Sequence, residues 1–240
     1  MKGTMKHNGY VIFEDNIRVV IATGFARKSA NVKTGDMIQL WILVKAENPV
    51  AAVASGMDEA VCGDCPLRGN VCYVNVGQAP LAIWKTWMRG GYPTMGKRYL
   101  TMFKGRKTRF GAYGDPTHIP LPILRRIAEY SDNWTGYTHQ WRNPILQQYK
   151  QYLMASADTE ADVAVAHGMG WRTFRVLAEG EEPQSGEINC PNYTKGVRCE
   201  DCTLCAGASR PAKSIVILAH GAKKKNFANA RRNRNYTVTV

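Results

Sequence analysis

The chain has 240 residues, of which 45% are hydrophobic and 21% charged, and its 32 Lys and Arg against 19 Asp and Glu give a formal charge of +13. That composition lies near the globular average and excludes intrinsic disorder and a collagen-like repeat. The longest near-apolar stretch, residues 37–44, is interrupted by Gln39 and falls far short of the roughly 18 residues of a membrane span. The basic N-terminus lacks a following apolar segment with a cleavage site, so a cytosolic protein without membrane contact is expected.

Short strands are predicted over residues 10–13 and 18–22 around an Asp15-Asn16 turn, followed by a stronger strand over 37–44. A helix over 49–60, with Pro49 in its first turn, leads into Cys62. A second helix over 79–88 sets Leu81, Trp84 and Met88 on one face and ends at Gly90-Gly91. Beyond residue 99 the pattern alternates. Strands are predicted over 109–113, 134–138, 152–157, 173–177 and 214–219, with helices over 121–130 and 160–167 and a short helical stretch after Pro144. Strands separated by helices of about ten residues imply right-handed crossovers and a parallel sheet. The expected fold is α/β, a partial (β/α) barrel-like parallel sheet with cysteine-rich cluster-binding loops. On this reading residues 1–221 form a single domain. It comprises N-terminal strands over 9–45, a cysteine loop over 61–76, βα units over 99–178 and a second cysteine loop over 188–207. Residues 222–240 form a basic tail.

All seven cysteines fall in two groups. Cys62, Cys65 and Cys72 read C-x2-C-x6-C, and Cys190, Cys199, Cys202 and Cys205 read C-x8-C-x2-C-x2-C. Seven is odd and a reducing cytosol disfavours disulfides, so ligation explains them better than pairing. A two-residue gap lets two thiolates on one tight loop converge on one centre. Cys199, Cys202 and Cys205 repeat the run of bacterial ferredoxins, whose fourth ligand comes from a distance, and Cys65-Pro66 and Cys190-Pro191 repeat its cysteine-proline step. One or two iron-sulfur clusters of 4Fe-4S type are therefore expected, with tetrahedral zinc as the alternative. Seven ligands leave two four-cysteine sites one short. Either one cluster is held by three cysteines and has an open iron, or one group is partly structural, and the group that owns Cys190 stays open.

In parallel α/β folds, sites gather at the carboxyl ends of the strands. Five of the strands end close to an ionisable residue: Asp115, His139, Asp158, Glu179 and His220. Of these, Asp115, His139, Asp158 and His220 are the catalytic candidates. Asp158 or Thr159 is equally suited to capping the next helix, and Glu179 to a solvated acidic turn with Glu181 and Glu182. No motif for a nucleophilic serine, a phosphate-binding loop or a dinucleotide is present.

No acidic residue follows Asp201, and eight positive charges in the last 35 residues leave the rest of the chain at only +5. Lys223, Lys224, Lys225, Arg231, Arg232 and Arg234 suit phosphate contacts and salt-dependent binding of nucleic acid, or of an acidic partner, or merely a solvated tail. Phe227 and Tyr236 are the only aromatics there, too few for base stacking.

Several motifs stand in order along the chain: Cys62-Gly-Asp-Cys-Pro-Leu-Arg, Cys72-Tyr-Val, Gly114-Asp-Pro, Gly136-Tyr-Thr-His-Gln-Trp141, Gly170-Trp-Arg-Thr-Phe-Arg-Val176, Cys199-Glu-Asp-Cys-Thr-Leu-Cys-Ala-Gly207 and Ile217-Leu-Ala-His-Gly221. Through these motifs, roughly from Trp41 to Gly221, the chain resembles the bacteriophage Gene Product 88 domain family. The resemblance implies a viral origin and action in the host cytoplasm, and carries no assigned activity. More distantly, a cysteine cluster feeding successive βα units looks like the partial barrel of radical SAM enzymes, which would imply S-adenosylmethionine as a cofactor. The C-x3-C-x2-C of that superfamily is replaced here by the different gaps of Cys62, Cys65 and Cys72. The expectation is thus a phage iron-sulfur protein with a redox or radical-type role and an electron donor as partner. The alternative is a zinc- or cluster-stabilised protein that binds nucleic acid through its tail.

Overall fold

A computed structural model describes residues 7–29, 31–69, 71–96, 99–221 and 223–233. Asp15 opens the architecture by accepting hydrogen bonds from the backbone N–H of Ile17 at 2.8 Å and of Arg18 at 2.6 Å, which folds β1 (Gly9–Glu14) back on β2 (Arg18–Thr23). β3 (Ile38–Val44) completes an antiparallel meander. From β3 the sheet continues in parallel through β4 (Lys107–Tyr113), β5 (Asn133–Thr138), β6 (Met154–Ala157), β7 (Thr173–Leu177) and β9 (Ser214–Leu218). The short strand β8 (Glu187–Asn189) pairs in parallel outside β9, so the order of the nine strands is β1-β2-β3-β4-β5-β6-β7-β9-β8.

The sheet is open rather than barrel-like, and the expectation of a partial barrel reduces to a mixed, mostly parallel α/β sheet. Its β1 edge is already occupied: Val11 N–H donates to Pro93 O at 3.0 Å, and Met95 N–H donates to Val11 O at 2.8 Å. At the other edge β8 is only three residues long. Neither edge offers a strand on which the other could close.

Helices α1 (Pro49–Ser55), α2 (Glu59–Cys62), α3 (Ala79–Met88), α4 (Leu121–Tyr130) and α5 (Glu160–Gly168) cover the sheet. α4 buries Leu124, Ile127 and Ala128 at helical spacing, in one core with Phe110 of β4 and Trp141. α5 opens on a capping box, in which Thr159 and Asp162 each bond the other's backbone N–H. The helix predicted over 49–60 is broken, because Gly56 turns left-handed at φ 84° and the chain restarts at α2. Short helices α6 (Pro191–Lys195) and α7 (Cys199–Cys202) interrupt the second cysteine loop, and the basic tail begins as α8 (Lys224–Asn233). No helix among the described residues is long and apolar enough to cross a membrane.

Candidate metal centres

The first cysteine group is placed by the end of β4. Gly114 there has φ +81°, and a Cβ at this position would lie 2.7 Å from Ile42 Cβ and 2.8 Å from Ile42 O, so only glycine lets the chain turn so tightly against β3. The turn hands Asp115 N–H to Val61 O at 2.7 Å, which fixes α2 and therefore Cys62 over the strand end. Arg68 then clamps the loop. Its guanidinium bonds the buried Asp58 carboxylate at 2.9 Å, Glu59 at 3.1 Å and the carbonyls of Gly56 and Gly63.

The result is a cavity of about 510 Å³ into which Cys62, Cys65 and Cys72 all face, walled by Val50, Val53, Val74 and Val76 and edged by Asp58, Arg68, Tyr113 and Lys223. Burial, and then the neighbouring Cys65 and Cys72, push the Cys62 thiol far up. Burial likewise raises Cys72, against the pull of Lys223 and His139. Bringing thiols together in this way opposes their ionisation, and a bound cation is what reverses it. Tyr113 Oη is buried with no hydrogen-bond partner.

Two strand-end residues lie beside Cys65 without lining the cavity. His139, after β5, contacts Cys65, and its Nε2 is shut off from solvent with no hydrogen-bond partner, 3.6 Å from Asp158 Oδ1 at the end of β6. That separation is an ion pair too long for a hydrogen bond. Burial works against charge on this imidazole, but Asp158 and Cys65 outweigh it and hold its pKa well above the ordinary histidine value.

Asp115 is a tie within the scaffold. Its Oδ1 accepts from Thr117 N–H at 3.0 Å and Thr117 Oγ1 at 2.8 Å, and its Oδ2 from Thr138 Oγ1 at 2.9 Å and His139 N–H at 3.0 Å. It joins the ends of β4 and β5 and hangs His139 in place. His220 lies elsewhere: it donates through Nδ1–H to Leu218 O, 2.9 Å away, and stacks tilted on Tyr193 of α6.

The second group lies across the sheet. Tyr137, Met154, Phe174, Ile215 and Ile188 share one face by strand register, and Cys190, Leu204 and Cys205 pack on them as a small separate core. Main-chain bonds pin the loop, from Cys190 N–H to Val216 O at 2.7 Å, Cys199 N–H to Lys33 O at 2.8 Å and Gly136 N–H to Cys205 O at 3.0 Å. Cys190 thereby lies beside Cys199, Cys202 and Cys205. Burial, opposed by a hydrogen bond from Tyr137 and reinforced by Cys190, Cys199 and Cys202, pushes the Cys205 thiol up to about 12. Between the groups stands Arg109 of β4. It donates to Tyr73 Oη at 2.6 Å, next in sequence to Cys72, and faces Tyr137 and Cys199 on its other side.

Among the described residues no three His, Cys, Asp or Glu side chains close on a point in the way one ion needs. The first three thiols instead surround a volume. Of the tail residues, Lys223 turns into the first cavity, Lys224 and Lys225 are exposed at the start of α8, Arg231 and Arg232 fall within α8, and Arg234 lies outside the described residues. Arg109 and Tyr113 fall outside the motifs quoted above, and Arg68 and Tyr137 stand inside them without any signal of their contacts. Alternation along β4 and β5 was the only signal that could have turned Arg109 and Tyr137 toward the cysteine loops. Comparison with protein-family models, curated proteins and solved structures found no match for this chain.

Proposed function

We propose that the protein is a redox protein with two iron-sulfur centres. One is held by Cys190, Cys199, Cys202 and Cys205, the other by Cys62, Cys65 and Cys72. The observation that carries this reading is the sorting of all seven thiols into two sets in space, with Cys190 beside Cys199 and Cys205 despite its distance in sequence. Zinc gathers thiolates at about 2.3 Å from one point, whereas a cubane takes its ligands at separate corners. Thiols spaced around a cavity of about 510 Å³ suit the larger body.

The four-cysteine centre, complete in thiols, suits electron storage. The three-cysteine centre has the cavity, edged by Asp58, Arg68, Tyr113 and Lys223, so chemistry on a small molecule belongs there. A cytoplasmic setting in a phage host, which keeps all seven cysteines free, is the compartment this reading implies. Anaerobic purification with a visible spectrum and metal analysis tests it. About eight iron and eight sulfide per chain are expected; a colourless protein with stoichiometric zinc overturns it.

A second reading, nucleic-acid binding, is supported by exposed Lys224 and Lys225 on a helix with no acidic residue in its first turn. Retention on DNA that weakens steeply with salt and is lost in Lys224→Glu/Lys225→Glu is its expected signature.

A further inference from the structure

We propose that the cavity of the three-cysteine group binds a small aliphatic carboxylate, with its anionic end at Lys223, its hydrocarbon body along the valine wall and a hydroxyl or carbonyl oxygen at Tyr113 Oη. This deepens the reading above that small-molecule chemistry belongs to this cavity, and it rests on that part of the reading and not on the nature of the metal.

The charge around the cavity sets the sign of the ligand. Asp58 is the one carboxylate that lines it, and it is already spent on Arg68, whose guanidinium bonds it at 2.9 Å and Glu59 at 3.1 Å. Lys223 is not answered in this way. Among the described residues its Nζ forms no ion pair, and its hydrogen bond to Gly69 O is 3.3 Å long. α8 begins at the next residue with no acidic side chain in its first turn, so nothing there offsets the charge either. A part-buried ammonium at the edge of an apolar space favours an anion, because the attraction is weakened less there than in open water.

Tyr113 supplies a second point of attachment. It is only 5% exposed, it lines the cavity, and its Oη has no hydrogen-bond partner. A buried hydroxyl in that state costs free energy that an oxygen of a ligand recovers. Tyr113 comes from the end of β4 and Lys223 from the start of the tail, so the two anchors reach the cavity from separate parts of the chain. Val50, Val53, Val74 and Val76 offer hydrocarbon to the body of the ligand, and exposed Val50 marks the way in. A volume of about 510 Å³ lies within the range of small-molecule pockets.

The test uses the full chain, metal-free under reductant and again after anaerobic reconstitution with iron and sulfide. It is titrated by calorimetry with butanoate, hexanoate, ω-hydroxyhexanoate and hexylamine. The carboxylates are expected to bind and hexylamine is not, with affinity rising about threefold per methylene from butanoate to hexanoate. In the metal-free chain, hexanoate is expected to slow alkylation of Cys62, Cys65 and Cys72 but not of the other cysteines. Lys223→Gln should weaken both hexanoates about tenfold. The hydroxyl of ω-hydroxyhexanoate should add about threefold in affinity, and Tyr113→Phe should remove that gain while leaving hexanoate unchanged. Since Tyr113→Phe deletes only an unpaired hydroxyl, the variant should unfold no earlier than the parent chain. Binding of hexylamine as tight as that of hexanoate, unchanged hexanoate binding in Lys223→Gln, or no carboxylate binding in either state overturns the proposal. A chain that loads iron and sulfide fully but binds no carboxylate leaves the iron-sulfur reading standing, whereas carboxylate binding by a zinc protein overturns that reading and leaves the ligand site.

Discussion

The two cysteine groups solve the same problem by opposite means. The group of Cys190, Cys199, Cys202 and Cys205 comes from one stretch of chain laid across a sheet face and pinned by main-chain hydrogen bonds. The group of Cys62, Cys65 and Cys72 is placed at the end of β4, with its loop tied by the Arg68 side chain and His139 of the β5 end beside Cys65. The first is local and self-contained. The second depends on the sheet, whose β4 ends with Tyr113 at the edge of the cavity. A site for chemistry is expected in the second and a site for electrons in the first, because the second lines a cavity edged by Asp58, Arg68, Tyr113 and Lys223.

The largest expected effect separates the two directly. Cys62→Ser/Cys65→Ser and Cys199→Ser/Cys202→Ser should each lose about half of the iron and sulfide, and the two variants should show different residual spectra; identical spectra would mean a single shared centre. Next comes the support beneath the four-cysteine loop. Arg175 and Glu187 form an ion pair at 2.6 Å with both side chains wholly buried, joining β7 to the start of β8. Arg175→Met strands the carboxylate and should cost about 3–5 kcal/mol in denaturant unfolding, with the four-cysteine centre lost at lower denaturant than the other.

Gly114→Ala strikes the opposite region. The left-handed turn and the contact with Ile42 should cost more than about 1 kcal/mol and loosen the loop of Cys62 first, which alkylation of that thiol in the metal-free chain would report. The smallest effect is a pH dependence. Burial, against the pull of Asp115, holds His118 below its ordinary pKa, and Arg18 Nη1 donates to its Nδ1 at 2.7 Å. The unfolded chain therefore binds the proton more readily, so stability is flat above about pH 6.5 and falls as the pH drops toward the lowered folded value. His118→Gln should flatten that slope; an unchanged slope would place the titration elsewhere.

The sequence carried the alternation of strands and helices well, because Leu124, Ile127 and Ala128 on α4 are buried at helical spacing, and Val19 to Ala22 on β2 form a short continuous apolar run buried on both faces. It did not carry β8, whose three residues include a charge, since Glu187 is buried only because Arg175 from another strand meets it. Nor did it carry the break at Gly56, where a run of small apolar residues reads as one continuous helix. The segregation of the cysteines was plain from their positions, but the placement of Cys190 beside Cys205 depended on where β8 ends. Asp115 and His139 stood out as strand-end residues. Their division of labour, one carboxylate spent on four internal bonds and one imidazole against a thiol, is a matter of three-dimensional contact that no spacing encodes.

The order of the last strands has a kinetic side. β8 lies at the edge and β9 enters afterwards between β7 and β8, so the connection that carries the four cysteines, residues 190–213, is also the crossover that must close before the strand can slot in. Such crossovers are usually held down by a full helix, and this one has only the five residues of α6 and the four of α7. Loading of its thiols would take the place of that helix, which makes this edge the natural last unit to fold and the first to open. Amide exchange in β8 and β9 should then be set by metal occupancy, while exchange in β2 and β3 is set by the global stability of the sheet.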